Sequence, residues 1–111
     1  MTKSNLCCHN VNIAAKLIHK NRIVYDSGHI QEMVIWGLPE PVVGSSHHYK
    51  YSLFYGKPGE RIIGYDNERP KGDHRHYRKD EENYTFTTVK QLVDDFMSDI
   101  EEERSLDDEN Q

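Results

Sequence analysis

The sequence predicts a small α+β domain, an antiparallel sheet of about five strands with one C-terminal amphipathic helix packed on it. Three observations carry that expectation. Tyr49, Tyr51, Leu53 and Tyr55 alternate with Lys50, Ser52 and Phe54, the period of a strand with one buried face. The K-P-G-E run of Lys57 to Glu60 is turn chemistry that folds this strand back as a hairpin. Val89, Leu92, Val93, Phe96, Met97 and Ile100 then recur at spacings of three and four, the stripe of a helix lying on a sheet.

Taken in order, residues 1–11 are polar and read as a flexible N-terminal tail. The stretch I-A-A-K-L-I-H-K-N-R-I-V-Y suggests a first strand, bent near Asn21, and Asp26-Ser27-Gly28 turns it. His29 to Trp36 is a second strand with apolar residues on both faces, as in a central position, ended by Pro39 and Pro41. Gly44-Ser45-Ser46 makes a loop before the third strand, His47 to Tyr55, and Arg61 to Tyr65 is the fourth. Tyr84-Thr85-Phe86 is expected as a short fifth strand. Thr88 and Gln91 have capping-box spacing at the helix start, with Asp94, Asp95, Asp99 and Glu101 to Glu103 expected mostly outward. The domain boundaries are therefore a tail over 1–11, one domain over 12–103 and an acidic disordered tail over 104–111.

At 111 residues, 35% hydrophobic and a mean hydropathy of −0.89, the chain has material for one modest core. No long apolar run and no signal-peptide-like start occur, which predicts a soluble, cytoplasmic protein with no membrane partner. Cys7 and Cys8 are adjacent, a poor spacing for a disulfide, and read as free thiols; a zinc site with His9 would lack the usual gap between cysteines. The net charge of −5 conceals an asymmetry. Residues 1–79 carry twelve bases against seven acids, whereas residues 80–111 carry twelve acids against Lys90 and Arg104. The basic part suits an anionic partner such as RNA, which the acidic end would repel.

The densest chemistry is Y-D-N-E-R-P-K-G-D-H-R-H, Tyr65 to His76, with three acids, two arginines, a lysine and two histidines in twelve residues. In extended backbone His74 and His76 share one face, and Asp73 and Arg75 the other. Two imidazoles on one face can divide general base and general acid, or bind one divalent metal together with Asp66. The competing reading is a solvated salt-bridge patch at a strand end, with Asp66 and Asn67 forming an ordinary turn. The hairpin brings Lys50 toward this segment, and Tyr49 and Tyr51 offer an aromatic face for base stacking or simply core. One of His47 and His48 is expected to join the cluster and the other to be exposed. No dinucleotide fingerprint, phosphate-binding loop or serine elbow is present, which argues against redox chemistry.

The W-x-L-P-E-P of Trp36 to Pro41, the S-H-H-Y-K-Y-S-L of Ser46 to Leu53, the Y-D-N-E-R-x-K-G-D-H-R-H of Tyr65 to His76 and the Y-x-F…L-x-x-D-F of Tyr84 to Phe96 occur in order. Together, over about residues 13–100, they resemble the TumE-like toxin family. That resemblance implies the toxin half of a toxin–antitoxin pair, encoded beside a small helix-turn-helix antitoxin. It also implies that Lys50, Asp66, Asn67, Lys71, Asp73, His74, Arg75 and His76 belong to one site. The expected activity is that of a small ribonuclease. His74 and His76 would transfer protons, Lys50, Lys71, Arg69 and Arg75 would hold phosphate, and Asp66 and Asp73 would orient a histidine or a metal. Alternatives are a divalent-metal nuclease and a non-catalytic module that sequesters RNA or protein. A homodimer is compatible with either, and no cofactor is called for beyond that metal.

Overall fold

The computed structural model describes residues 15–109. The expected N-terminal tail, the Cys7-Cys8-His9 site and residues 110–111 lie outside them. Six strands form one antiparallel meander in chain order: β1 (Lys16–Val24), β2 (Ile30–Gly37), β3 (Tyr49–Lys57), β4 (Glu60–Asp66), β5 (His74–Tyr77) and β6 (Asp80–Asn83). The helix α1 (Val89–Glu109) follows and packs over the β4 end of the sheet.

Register assigns the faces. Leu53 sits opposite Met33 and Tyr65, and Tyr55 opposite Gln31 and Ile63, so these side chains share one face. Together with Ile35 and Tyr51 they meet Leu92, Phe96 and Ile100 of α1 in a core where each is at most 4% exposed. Burying Phe96 fully makes it the helix's main anchor, the kind of residue whose loss to alanine costs about 3–5 kcal/mol. The other face of the sheet, which presents Val34, Trp36, Lys50, Ser52, Phe54, Asp66, His74 and His76, has no helix over it among the described residues.

Turns follow the chemistry read from the sequence where glycine supplies it. Lys57 pairs directly with Glu60, leaving the two-residue loop Pro58-Gly59 with Gly59 at φ 80°. Thr88 caps α1, its Oγ1 accepting from the Gln91 N–H at 3.0 Å, although the Gln91 side chain donates to Asp95 rather than closing the box.

Several expectations need correction. The irregularity in β1 lies between Leu17 and His19 instead of near Asn21. The expected fifth strand at Tyr84 to Phe86 is an extended link. The strand positions it would have filled belong to β5 and to β6, whose D-E-E-N sequence is exposed throughout and shows no apolar period. The acids of α1 are only partly outward. Asp95, Asp99 and Glu103, spaced by four, face the sheet, and each accepts a tyrosine hydroxyl: Tyr84 (2.6 Å), Tyr65 (2.6 Å) and Tyr77 (2.7 Å). Finally, the helix runs on through Glu109, past the 103/104 boundary drawn from acidic composition.

Candidate functional site

The polar segment Tyr65 to His76 is divided by the strand alternation of β4 and β5 into two separate groups. On the open face Asp66 lies opposite His74, and Gly64 opposite His76. His76 is buried and held from both sides. Its Nδ1 lies 3.0 Å from an Arg61 guanidinium nitrogen, which can only donate, so Nδ1 accepts. Nε2 then carries the hydrogen and points at Asp66 Oδ2, 3.2 Å away. Gly64 permits this arrangement: a Cβ there would stand 2.7 Å from the Arg61 Cδ, so the arginine stem crosses the sheet over the glycine.

His74 is held differently. Its Nδ1 is 2.9 Å from the Gly72 carbonyl oxygen, an acceptor, so Nδ1 carries a hydrogen. Nε2 faces Glu81 Oε2 at 3.6 Å, and the same oxygen binds Lys71 Nζ at 2.6 Å. The Gly72 bond therefore leaves Nε2 as the ring nitrogen with a free lone pair, beside the Glu81 carboxylate. Hydrogen bonding to Glu81 holds the Lys71 ammonium above its ordinary pKa, and the same bond holds Glu81 below its own.

On the opposite face Asp73 is a hub. It accepts from Ser45 Oγ (2.7 Å), His47 Nε2 (2.6 Å) and the Tyr51 hydroxyl (2.6 Å). The Tyr49 N–H donates to His47 Nδ1 at 3.1 Å, which fixes the Nε2–H tautomer of His47. The His47 ring stacks on Phe86 at 3.9 Å, while His48 is exposed. Burial, followed by the Asp73 bond, pushes the Tyr51 hydroxyl far above its ordinary pKa. Arg75 is also on this side, its Nε donating to Asp99 Oδ2 (2.8 Å) and the Tyr65 hydroxyl (3.1 Å) and its NH1 to Glu82 (3.2 Å).

The residues expected to form one site therefore do not. Lys50, Asp66, Arg69, Lys71, His74 and His76 belong to the open side. Asp73 and Arg75 face the helix side, where Arg75 is held by Asp99, Glu82 and the Tyr65 hydroxyl and Asp73 orients His47 rather than His74 or His76. Tyr51 is 1% exposed and is core, and half-buried Tyr49 packs with His47 and Phe86, so neither is a free stacking surface. Asn67 is wholly buried, accepting from the Tyr51 N–H and donating to Ser45 Oγ and the Tyr49 carbonyl, which makes it a brace between loop and strand.

Lys50 and Arg69 meet at an apolar groove of about 480 Å³ lined also by Leu38, Pro39, Pro41 and Val43. For the metal set His74, His76 and Asp66, no three histidine, cysteine, aspartate or glutamate side chains among the described residues converge as a metal site. His76 would have to release Arg61 to offer Nδ1. Arg61 and Glu81 escaped the sequence reading. Gly64, three residues after an arginine in a strand, was the available signal for the first; an all-polar strand leaves none for the second.

With this geometry in place, the family comparison is decisive: the model described as toxin TumE matches residues 14–104. The chain belongs to the TumE toxin family. The TumE match covers the whole sheet and most of α1, so both faces lie inside it. No curated protein and no solved structure gives a significant match. Membership in a toxin family implies an antitoxin partner. No helix among the described residues is long and apolar enough to cross a membrane.

Proposed function

We propose that this toxin acts by cleaving RNA on the open face of its sheet, with His74 as general base. The observation that supports this reading best is the His74 ring, fixed through Nδ1 by Gly72 with Nε2 facing the Lys71–Glu81 pair. His74 Nε2 takes the proton of a ribose 2′-hydroxyl, and the oxygen forms a bond to the adjacent phosphorus. The bond from phosphorus to the 5′-oxygen breaks, and that oxygen leaves with a proton from water. The products are a 2′,3′-cyclic phosphate and a free 5′-hydroxyl. Glu81 stabilises the charged ring, and Lys71, Lys50 and Arg69 attract the phosphates. His76, Asp66 and Arg61 are positioning residues, because both ring nitrogens of His76 are already bound.

The scheme works in the cytoplasm without a metal, and a chelator separates it from a metal-assisted one. The antitoxin we expect is a small helix-turn-helix protein. A second reading, sequestration of RNA without cleavage, is favoured by Lys50 and Arg69, two cations that line one groove and form no ion pair among the described residues. Incubation of the purified toxin with RNA in large molar excess separates the two. Cleavage of more RNA than there is protein is the expected result, and stoichiometric protection with steep salt dependence would establish the binder.

A further inference from the structure

We propose that the outer edge of β1 is the docking site of the antitoxin, which adds an extended segment alternating acidic and aliphatic residues as a seventh strand. This rests on toxin family membership and not on the ribonuclease reading. β1 is nine residues long, and among the described residues only β2 pairs with it, so its other edge offers a row of backbone donors and acceptors. The far edge of the same sheet, β6, also has a single neighbour among the described residues, but it is short and its side chains are engaged. β6 has four residues, and Glu81 and Glu82 on it are bound to Lys71 and Arg75 of the same chain.

Sheet edges left open in a monomer are commonly short or covered. β1 is not short and has no element over its outer edge among the described residues, and it exposes Leu17 (49%), Ile18 (49%), Ile23 (42%) and Val24 (58%). A groove of about 330 Å³ lined by Lys16, Ile18, Gly37, Leu38, Pro39 and His48 opens beside the first residues of the strand. That is where a side chain of an added strand would seat, the arrangement by which strand addition obtains specificity.

Charge selects the occupant. β1 carries Lys16, Lys20 and Arg22 and no acid, and among the described residues only Arg22 has an acidic partner, Glu32. A second copy pairing antiparallel about the strand centre would set Lys20 against Lys20, a destabilising cross-strand pair. RNA would satisfy the cations while leaving the backbone row and the aliphatic side chains unused. An acidic, aliphatic strand satisfies all three features.

The test is hydrogen exchange of the full-length toxin with and without the antitoxin encoded beside it, which requires no variant. Slowed exchange of β1 amides by at least tenfold in the complex is expected. Charge reversal in Lys16→Glu/Lys20→Glu, which leaves the Arg22–Glu32 pair intact, is expected to weaken antitoxin binding at least tenfold at low salt, with an unchanged melting temperature. Protection confined to α1 or to other strands would overturn the proposal. So would concentration-dependent protection of β1 in the free toxin, or a folded variant that keeps antitoxin affinity and loses RNA binding instead. Should charge reversal disturb folding, Leu17→Thr/Val24→Thr removes apolar surface while keeping strand preference, and it carries the same expectation.

Discussion

Arg75 Nε lies 2.8 Å from Asp99 Oδ2, and this bond ties the middle of β5 to the middle of α1. A guanidinium so held, with Tyr65 and Glu82 as further partners, is a clamp between sheet and helix and is turned away from the open face. Arg75→Ala is expected to cost about 2 kcal/mol of stability, the scale of lost hydrogen bonds to charged groups. Growth inhibition should fall only with the folded fraction. Denaturant unfolding and a growth assay on the same variant decide it, and a stable Arg75→Ala protein without toxicity would return the arginine to the site.

The carboxylates of Asp95, Asp99 and Glu103 bear on pH stability through the tyrosines they hold. Burial first, and then the bonds to Asp99 and Asp95, raise the Tyr65 and Tyr84 hydroxyls well above ten, while burial and Asp73 raise Tyr51. These groups keep their protons in the folded chain at pH values where the unfolded chain loses them. Their contribution is fully present below the ordinary tyrosine pKa and is lost as pH rises beyond it. Tyr51 and Tyr65, both essentially unexposed, should each remove about 1.4 kcal/mol per pH unit above pH ~10. Tyrosinate absorbance should therefore appear together with unfolding; ionisation of these tyrosines in the folded protein would contradict the reading.

Gly44 and Gly72 bring two loops into backbone contact. Both have positive φ (99° and 83°), and a Cβ on Gly72 would stand 2.6 Å from the Gly44 carbonyl oxygen. Gly72→Ala would add left-handed strain to a clash that neither backbone can relieve by rotating a side chain. A loss of roughly 2–4 kcal/mol is expected, read from the melting temperature. Since Gly72 also holds His74 Nδ1, any folded fraction should have reduced toxicity.

Asp73 separates a structural from a chemical role. Asp73→Asn keeps the shape but exchanges one acceptor oxygen for a donor facing Ser45, His47 and Tyr51. A cost of about 1–3 kcal/mol follows from leaving a buried partner unsatisfied. Soluble protein should nevertheless inhibit growth. A folded, inactive Asp73→Asn variant would place Asp73 in the reaction.

Much of the fold was legible because periodicity reports burial. The alternation from Tyr49 to Tyr55 and the stripe from Val89 to Ile100 each have one face in the core, and the K-P-G-E turn has the glycine its φ demands. β6 was illegible for the converse reason. Asp80 to Asn83 buries no side chain, its turn places Arg78 at φ 53° without the usual Asn-Gly, and ladder bonds and ion pairs supply its stability. Within the site, alternation gave the correct split between His74/His76 and Asp73/Arg75. What alternation cannot give is the occupant of the far side, so the engagement of Arg75 by a helix acid twenty-four residues away stayed hidden. The same holds for Glu103, buried against Tyr77 and Arg78 although composition placed it in solvent.

The central claim is that His74 moves the proton in RNA cleavage while His76 only supports the site. The most direct measurement is the cleavage rate and product ends of a single-stranded RNA with chelator present, for wild type, His74→Gln and His76→Gln. Cleavage leaving a 2′,3′-cyclic phosphate, reduced by about 10²–10⁴-fold in folded His74→Gln and far less in folded His76→Gln, is the expected result. Intact RNA with wild-type toxin, or equal cleavage by His74→Gln, would contradict it.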